Sequence, residues 1–201
     1  MLVGSFIAPA SPALRAAPPT DAGWLHEVKF DGWRVQLHKA GASVVIYSRQ
    51  GRDLTDRFPH VVAAVRHLRN DSLIIDAELV ALRPDGSDNF YGVTRRDSTL
   101  RCWAFDLLAL AGKDLRPLPL SERRRQLIKV LDRAEPSLRL SETFDDPLVL
   151  LAELERRGIE GIVSKRATSP YRSGARCGWI KVKTESWRTT NRGRWEKFQK
   201  L

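Results

Sequence analysis

Apolar residues are arranged in two rhythms along the chain. Short compact runs recur from Trp24 onward: WLHEVKF (24–30), WRVQLHK (33–39), SVVIYS (43–48), SLIIDAELVAL (72–82), LRCWAFDLLAL (100–110), IEGIVSKR (159–166) and WIKVK (179–183). Each predicts a β-strand. Between them lie segments with apolar residues at helical spacing. DRFPHVVAAVRHLRN (56–70) and SERRRQLIKVLDRA (121–134) predict helices, the second with Ser121 as its N-cap. DDPLVLLAELERRG (145–158) is a clearer helix, with Asp146 as cap, Pro147 in the first turn and Gly158 just past the end. Residues 8–23, APASPALRAAPPTDAG, have no hydrophobic period and read as an irregular, partly extended lead-in, so the fold is expected to begin near Trp24. Strands and helices alternate without a regular βαβ rhythm, which predicts an α+β fold with largely antiparallel sheets. No internal repeat is visible.

Composition fits one main globular domain: 201 residues, 42% hydrophobic and 29% charged. The net charge of +10 is unevenly spread. Residues 165–201 hold eleven lysines and arginines against only Glu185 and Glu196, together with Trp179, Trp187 and Trp195. A charge run alone reads most simply as a solvated tail. Aromatics among cations suit base stacking on a polyanion, which places nucleic acid above membrane as the expected partner. The two cysteines, Cys102 and Cys177, form no C-x-x-C pair, so a disulfide framework or zinc site is not expected and a reducing cytoplasm is. No apolar run approaches a membrane span and the N-terminus lacks a signal-peptide pattern. His26, His38, His60 and His67 show no metal spacing.

The segment EVKFDGWR (27–34) carries charges that a strand and turn do not need. A lysine becomes a nucleophile only when burial or nearby cations lower its pKa, and Lys29 so prepared would attack a carbonyl carbon or a phosphorus atom. Asp31, Glu78 and Glu160 are available to hold a divalent metal against phosphate oxygens. Taken alone, KFDG reads first as a strand entering an Asp-Gly turn with an exposed lysine. Glu78 resists so simple a reading, because a carboxylate among Leu73, Ile74, Ile75, Leu79 and Val80 is costly to bury without a partner.

In series, these segments resemble the nucleotidyltransferase (adenylation) domain of ATP-dependent DNA ligases, closest to the bacterial ligase D type. The K-x-D-G-x-R element is similar to Lys29, Asp31, Gly32 and Arg34, and S-R-x-G to Ser48–Gly51. D-G-E resembles Asp76–Glu78, with Ala77 in place of glycine, and the aromatic-Asp element resembles Phe105 and Asp106. E-G-h-V-x-K resembles Glu160–Lys165, and K-x-K resembles Lys181–Lys183. The resemblance implies an ATP-grasp-like nucleotidyltransferase domain with antiparallel sheets flanked by helices, ATP and Mg2+ as cofactors, and nicked or broken double-stranded DNA as partner. It implies that Lys29 attacks the α-phosphorus of ATP, with Asp31 and Arg34 as companion catalytic residues. Arg34 and Arg49 would bind the ribose and phosphate side, and later the 5′-phosphate of the nucleic acid. Glu78 would accept a ribose hydroxyl, and Phe105, which taken singly reads first as core because it sits in an apolar run, would stack on adenine, whose exocyclic amine is read near Glu27. Glu160 would ligate Mg2+, and Lys181 and Lys183, on one face of a strand, would neutralise the α-phosphate.

Full-length members of that family continue into an OB-fold, which the eighteen residues after Lys183 are too few to build. The expected organisation is therefore lead-in 1–23, adenylation domain 24–183 and basic tail 184–201, with a protein partner supplying an OB-fold or end-binding function as one expectation. Arg188, Arg192 and Arg194 of the tail are candidate nucleic-acid contacts. Arg172 and Arg176 are either phosphate binders or loop solubilisers, and Lys165 and Arg166 remain unassigned. The alternatives in view are an RNA ligase or capping-type nucleotidyltransferase, and a nucleic-acid-binding module with weak catalysis. The expected location is the bacterial cytoplasm, at the nucleoid when working.

Overall fold

The computed structural model describes residues 5–85, 89, 92, 93, 95 and 98–193. Strands β1 (Ala13–Leu14), β2 (Trp24–Val28), β3 (Trp33–Ala40), β4 (Ser43–Ser48), β5 (Ser72–Leu82), β6 (Thr99–Leu110), β7 (Lys113–Asp114), β8 (Leu138–Leu140), β9 (Thr143–Phe144), β10 (Gly161–Arg166) and β11 (Ile180–Lys183) form two sheets. The smaller runs β1-β11-β10-β2-β9; the larger runs β4-β3-β5-β6-β7, with β8 also on β6. Among the described strands only β1–β11 and β6–β8 pair in parallel, as the α+β reading expected. The chain crosses from the smaller sheet to the larger between β2 and β3, at residues 29–32.

Alternation decides which face each sheet buries. On the larger sheet Val35, Leu37, Ile75, Ala77, Leu79, Cys102 and Ala104 turn into the main core beneath α1 (Pro59–Arg66) and α2 (Leu120–Leu131). Their neighbours Arg34, Glu78 and Trp103 lie opposite one another in register and share the other face. Ala77, the departure from D-G-E, is fully buried in that main core, so its methyl lies on the opposite face from Glu78. Behind the smaller sheet, Ile162 and Val182 pack on Leu150 and Leu154 of α3 (Pro147–Arg156).

Several elements differ from expectation. The lead-in is extended but belongs to the fold: Ile7 and Ala10 are buried, Ala13 N donates to Trp179 O (2.8 Å) and Arg15 N to Lys181 O (3.0 Å). Edge pairing over two residues needs no hydrophobic period, so the sequence pattern carried no sign of it. Pro59 starts α1 late, after a 3-10 turn at Thr55–Arg57, because proline suits the first helical turn and cannot continue an earlier one. Ser121 is not a cap: α2 begins a residue earlier behind Pro119, and Ser121 N donates to Ala167 O. In α3 the Asp146 carboxylate does accept from Leu148 N and Val149 N (2.9 and 3.0 Å), and Gly158 has φ +66°. The expected tail begins as a folded helix, α4 (Glu185–Thr190), capped by Thr184 and burying Trp187. Arg194, Trp195, Lys197 and Lys200 lie outside the described residues. Among the described residues no helix is long and apolar enough to cross a membrane.

Candidate active site

A cavity of about 490 Å³ opens between the two sheets, and every residue expected to bind a nucleotide borders it. Lys29 leaves the end of β2 with its backbone N–H bonded to Gly161 O (2.8 Å), and its Nζ meets Glu160 Oε2 at 2.7 Å. The two glycines beside these groups are forced by close approach. A Cβ on Gly32 would lie 2.3 Å from Leu79 O; one on Gly161, whose φ is +146°, would lie 2.0 Å from Val182 O. Lys183 Nζ meets the other oxygen of Glu160 at 2.8 Å, so a single buried carboxylate spans two lysines. Lys181 borders the cavity from the same strand, and Arg49 from the loop after β4.

The electrostatics differ from the expectation of a lowered nucleophile. Burial acts to lower the Lys29 ammonium, but Glu160, Glu78 and Asp31 outweigh it and the pKa ends above the ordinary value. The companion lysines are lowered. Burial, with help from Lys29 and Arg49, brings Lys181 down, and burial brings Lys183 down to about 8 despite Glu160. Burial also pushes the Glu78 carboxyl up to about 7, against the pull of Lys29 and Arg34.

Arg34 borders the cavity with most of its donors engaged. Nε and Nη2 hold Asp76 bidentately (3.0 and 2.7 Å), Nη1 donates to Ala10 O, and the Tyr171 hydroxyl donates to Asp76 at 2.7 Å. This clasp ties β3, β5, the N-terminal segment and the loop before β11 together, and it draws the guanidinium toward Asp76. Phe105 faces the cavity with Lys165 Nζ 4.4 Å from its ring centroid and Trp179 edge-on at 6.1 Å. Glu27 is nearly fully buried, bonded to Lys165 (2.7 Å), Arg124 (3.1 Å) and the Ser141 hydroxyl (2.7 Å). Asp31 Oδ2 accepts from Trp187 Nε1 at 3.2 Å, and Lys183 Nζ sits 3.7 Å from the centroid of that indole. Asp106 faces Arg123 of α2 in a buried bidentate pair (2.7 and 2.8 Å).

The nucleic-acid candidates among the described residues do not border the cavity. Arg172 and Arg176 are exposed on the loop between β10 and β11, Arg188 pairs with Glu185 (3.4 Å), and Arg192 is exposed at the end of α4. Sequence reasoning missed Asp76, Tyr171, Arg124, Ser141 and Trp187 as site residues. Only Asp76 and Trp187 had a signal, the first inside DAE and the second four residues past KVK. Among the described residues no cluster of three or more His, Cys, Asp or Glu side chains forms a metal cage. Mg2+ is commonly held by one or two carboxylates plus substrate phosphates and water, and the Glu160 carboxylate at the cavity is compatible with a metal that would arrive with a nucleotide.

A lysine on a carboxylate, two more lysines at the same end and an aromatic ring at the other make a site for a phosphorylated aromatic ligand, of the kind nucleotidyltransferases use. The chain belongs to the ATP dependent DNA ligase domain family, whose description matches residues 10–183. It is 36% identical over 187 residues to the multifunctional non-homologous end joining protein LigD of Pseudomonas aeruginosa, covering 90% of this chain and 22% of that protein. A probable DNA ligase of Mycobacterium sp. (strain KMS) is 38% identical over 172 residues, 78% of this chain and 32% of that one. The chain thus spans about a fifth to a third of the length of these relatives. Among solved structures, mycobacterial DNA ligase D complexed with ATP and MES matches with a TM-score of 0.77 and 30% identity, over 88% of this chain and 60% of that chain.

Proposed function

We propose that the chain is the adenylating part of an ATP-dependent DNA ligase, which takes AMP onto Lys29 and passes it to a 5′-phosphate at a nick or break. The observation that carries this is the Lys29–Glu160–Lys183 bridge inside a cavity that Phe105 also borders. The Lys29 amine forms a bond to the α-phosphorus as the bond to the bridging oxygen breaks, and pyrophosphate leaves. Glu160 Oε2, 2.7 Å from Nζ, is the acceptor within reach of the ammonium proton that must depart first. Lys181 and Lys183 meet the charge that develops on the α-phosphate, Glu78 accepts a ribose hydroxyl, and Phe105 stacks on the base. Arg34 and Arg49 serve the phosphate side, Arg34 through the N–H groups that Asp76 and Ala10 leave to it. Mg2+ beside Glu160 supplies charge neutralisation for the triphosphate.

The adenylating unit takes in the N-terminal segment and α4 as well as residues 24–183. Arg172, Arg176, Arg188, Arg192 and Arg194 are the surface for DNA, and the place of work is the bacterial nucleoid. A partner with an OB-fold or an end-binding role completes the reaction. The test is incubation with labelled ATP or GTP. Label from ATP that survives alkali and is lost in acid marks the lysine phosphoramide; label from GTP alone overturns the reading in favour of capping chemistry.

A further inference from the structure

We propose that residues 6–15 form a strap that holds the two sheets at a fixed separation across the phosphate end of the cavity, with Phe6 and Gln36 as its positioning residues. Arg49 and Lys181 thereby face an incoming polyphosphate already in place. This rests on the nucleotide-binding reading of the cavity above. At one end the strap is fastened to the larger sheet. The Gln36 amide of β3 closes on both backbone groups of Ile7, accepting from its N–H at 3.2 Å and donating to its carbonyl. His38 Nε2, 3.2 Å from Gln36 Oε1, orients that amide. The Phe6 ring meets Tyr47 of β4 edge-on at 5.9 Å and lies against Gly51, where a Cβ would stand 2.9 Å from it. Gly51 closes the turn that carries Arg49, with its N–H on Ser48 O at 2.9 Å and a φ of +79°. At the other end the strap joins the smaller sheet, where Ala13 and Leu14 pair in parallel with Ile180 and Lys181 of β11. Between the ends Ala10, Ser11 and Pro12 border the cavity, and Ala10 O accepts from Arg34.

Burial alone does not account for this segment, since of residues 6–15 only Ile7 and Ala10 are buried. The charges that it spans do account for it. Beyond burial and Lys29, Arg49 also lowers the Lys181 pKa, which places the two cations within electrostatic reach across the cavity. One stands on the larger sheet and the other on the smaller. Like charges facing each other in a cavity without a ligand repel, and splaying the sheets would relieve them. The strap opposes that movement. Pro9 and Pro12 have no N–H and a fixed φ, so the segment between the two fastenings is extended and stiff. The fold therefore bears the repulsion before any ligand arrives. A polyphosphate that enters turns it into attraction without having to draw the cations together, and such preorganisation appears as affinity.

The measurement is the equilibrium affinity of the full chain for adenosine and for the α,β-methylene analogue of ATP, which cannot release pyrophosphate, in the parent and in Phe6→Ala and Gln36→Met. The parent is expected to prefer the analogue. In both variants that preference is expected to fall about tenfold, with the loss on the analogue and the adenosine affinity held. An unchanged preference overturns the proposal. So do variants in which both ligands weaken together at constant ratio, because that outcome makes the strap ordinary structure. Phe6 is only half-buried, so Phe6→Ala keeps the test alive if Gln36→Met does not fold. Covalent labelling from ATP separates this inference from the reading beneath it. Label in the parent with an unchanged ratio in the variants sinks the strap alone. A ratio that falls as expected in a chain that takes no label sinks the transferase reading and leaves the strap standing.

Discussion

At the scale of single residues, Lys29 is held as a cation by the same carboxylate that can take its proton. The carboxylates around it raise its pKa, so on the proposed reading the neutral amine would become available once Glu160 is drawn elsewhere. Lys29→Ala is expected to abolish covalent labelling from ATP while nucleotide affinity stays within about threefold; Lys29→Arg is expected to fail equally, because a guanidinium keeps its proton. Persistent label in either variant places the chemistry elsewhere. Glu78 carries a different cost. Its folded pKa, about 7, lies above the ordinary 4.5, so the ionised form is disfavoured by folding. The penalty is absent below pH 4.5, grows as the pH rises and is complete above 7. Glu78→Gln is therefore expected to stabilise the ligand-free fold at pH 8 by about 1–3 kcal/mol and to change it little at pH 4. It is also expected to weaken nucleotide binding. Thermal unfolding at the two pH values checks this, and equal effects at both would show that Glu78 titrates normally.

At the scale of elements, α4 is the part of the basic end that belongs to the site. Its N-terminal amides, Glu185 N and Ser186 N, each bond to the Glu155 carboxylate of α3 at 2.7 Å, and Trp187 closes on Asp31 and Lys183. A chain ending at Lys183 loses that buried indole and is expected to lose about 3–5 kcal/mol of stability, together with adenylation. A chain ending at Asn191 keeps α4 and is expected to keep both, while its DNA affinity falls and the salt slope shrinks by about one per phosphate contact removed. Unchanged DNA affinity would return Arg192 and the residues after it to the solvated reading. The helix escaped sequence reading because its six residues, ESWRTT, show no hydrophobic period; the tertiary partners of Trp187 are what make it structure. Strands β4 and β5 were legible to the residue, since branched apolar runs set their own limits. The helix α3 was legible through Asp146, Pro147 and Gly158. The two- and three-residue strands β1, β7, β8 and β9 were not, because pairing partners alone create them.

At the scale of the whole molecule, the fold brings Lys29 and Glu160 together across 131 positions, and the order of short motifs along the sequence made that convergence readable. The second layer of the site was opaque for the opposite reason. Arg124 on Glu27, Tyr171 on Asp76 and Arg123 on Asp106 are pairings between residues with no fixed spacing, which only the packing of α2 and of the β10–β11 loop creates. The larger boundary is what this cavity does alone. The matched ligase D structure extends beyond the part this chain covers, and the resemblance implies a further OB-fold that would close over the nucleotide and align pyrophosphate for departure. On the proposed reading, adenylation of Lys29 would need that alignment, whereas sealing of an already adenylated nick would lean on Glu160, on the lysines beside it and on contacts to the duplex. Positioning of a leaving group is worth several powers of ten in rate. These 201 residues tested alone are thus expected to seal a chemically adenylated nick at least about tenfold faster than they seal an ordinary nick with ATP. Side-by-side single-turnover rates on the two substrates decide the matter. Equal rates would mean that pyrophosphate is oriented from within the chain, with Arg49 and the loop bearing Arg172 and Arg176 the first positions to substitute.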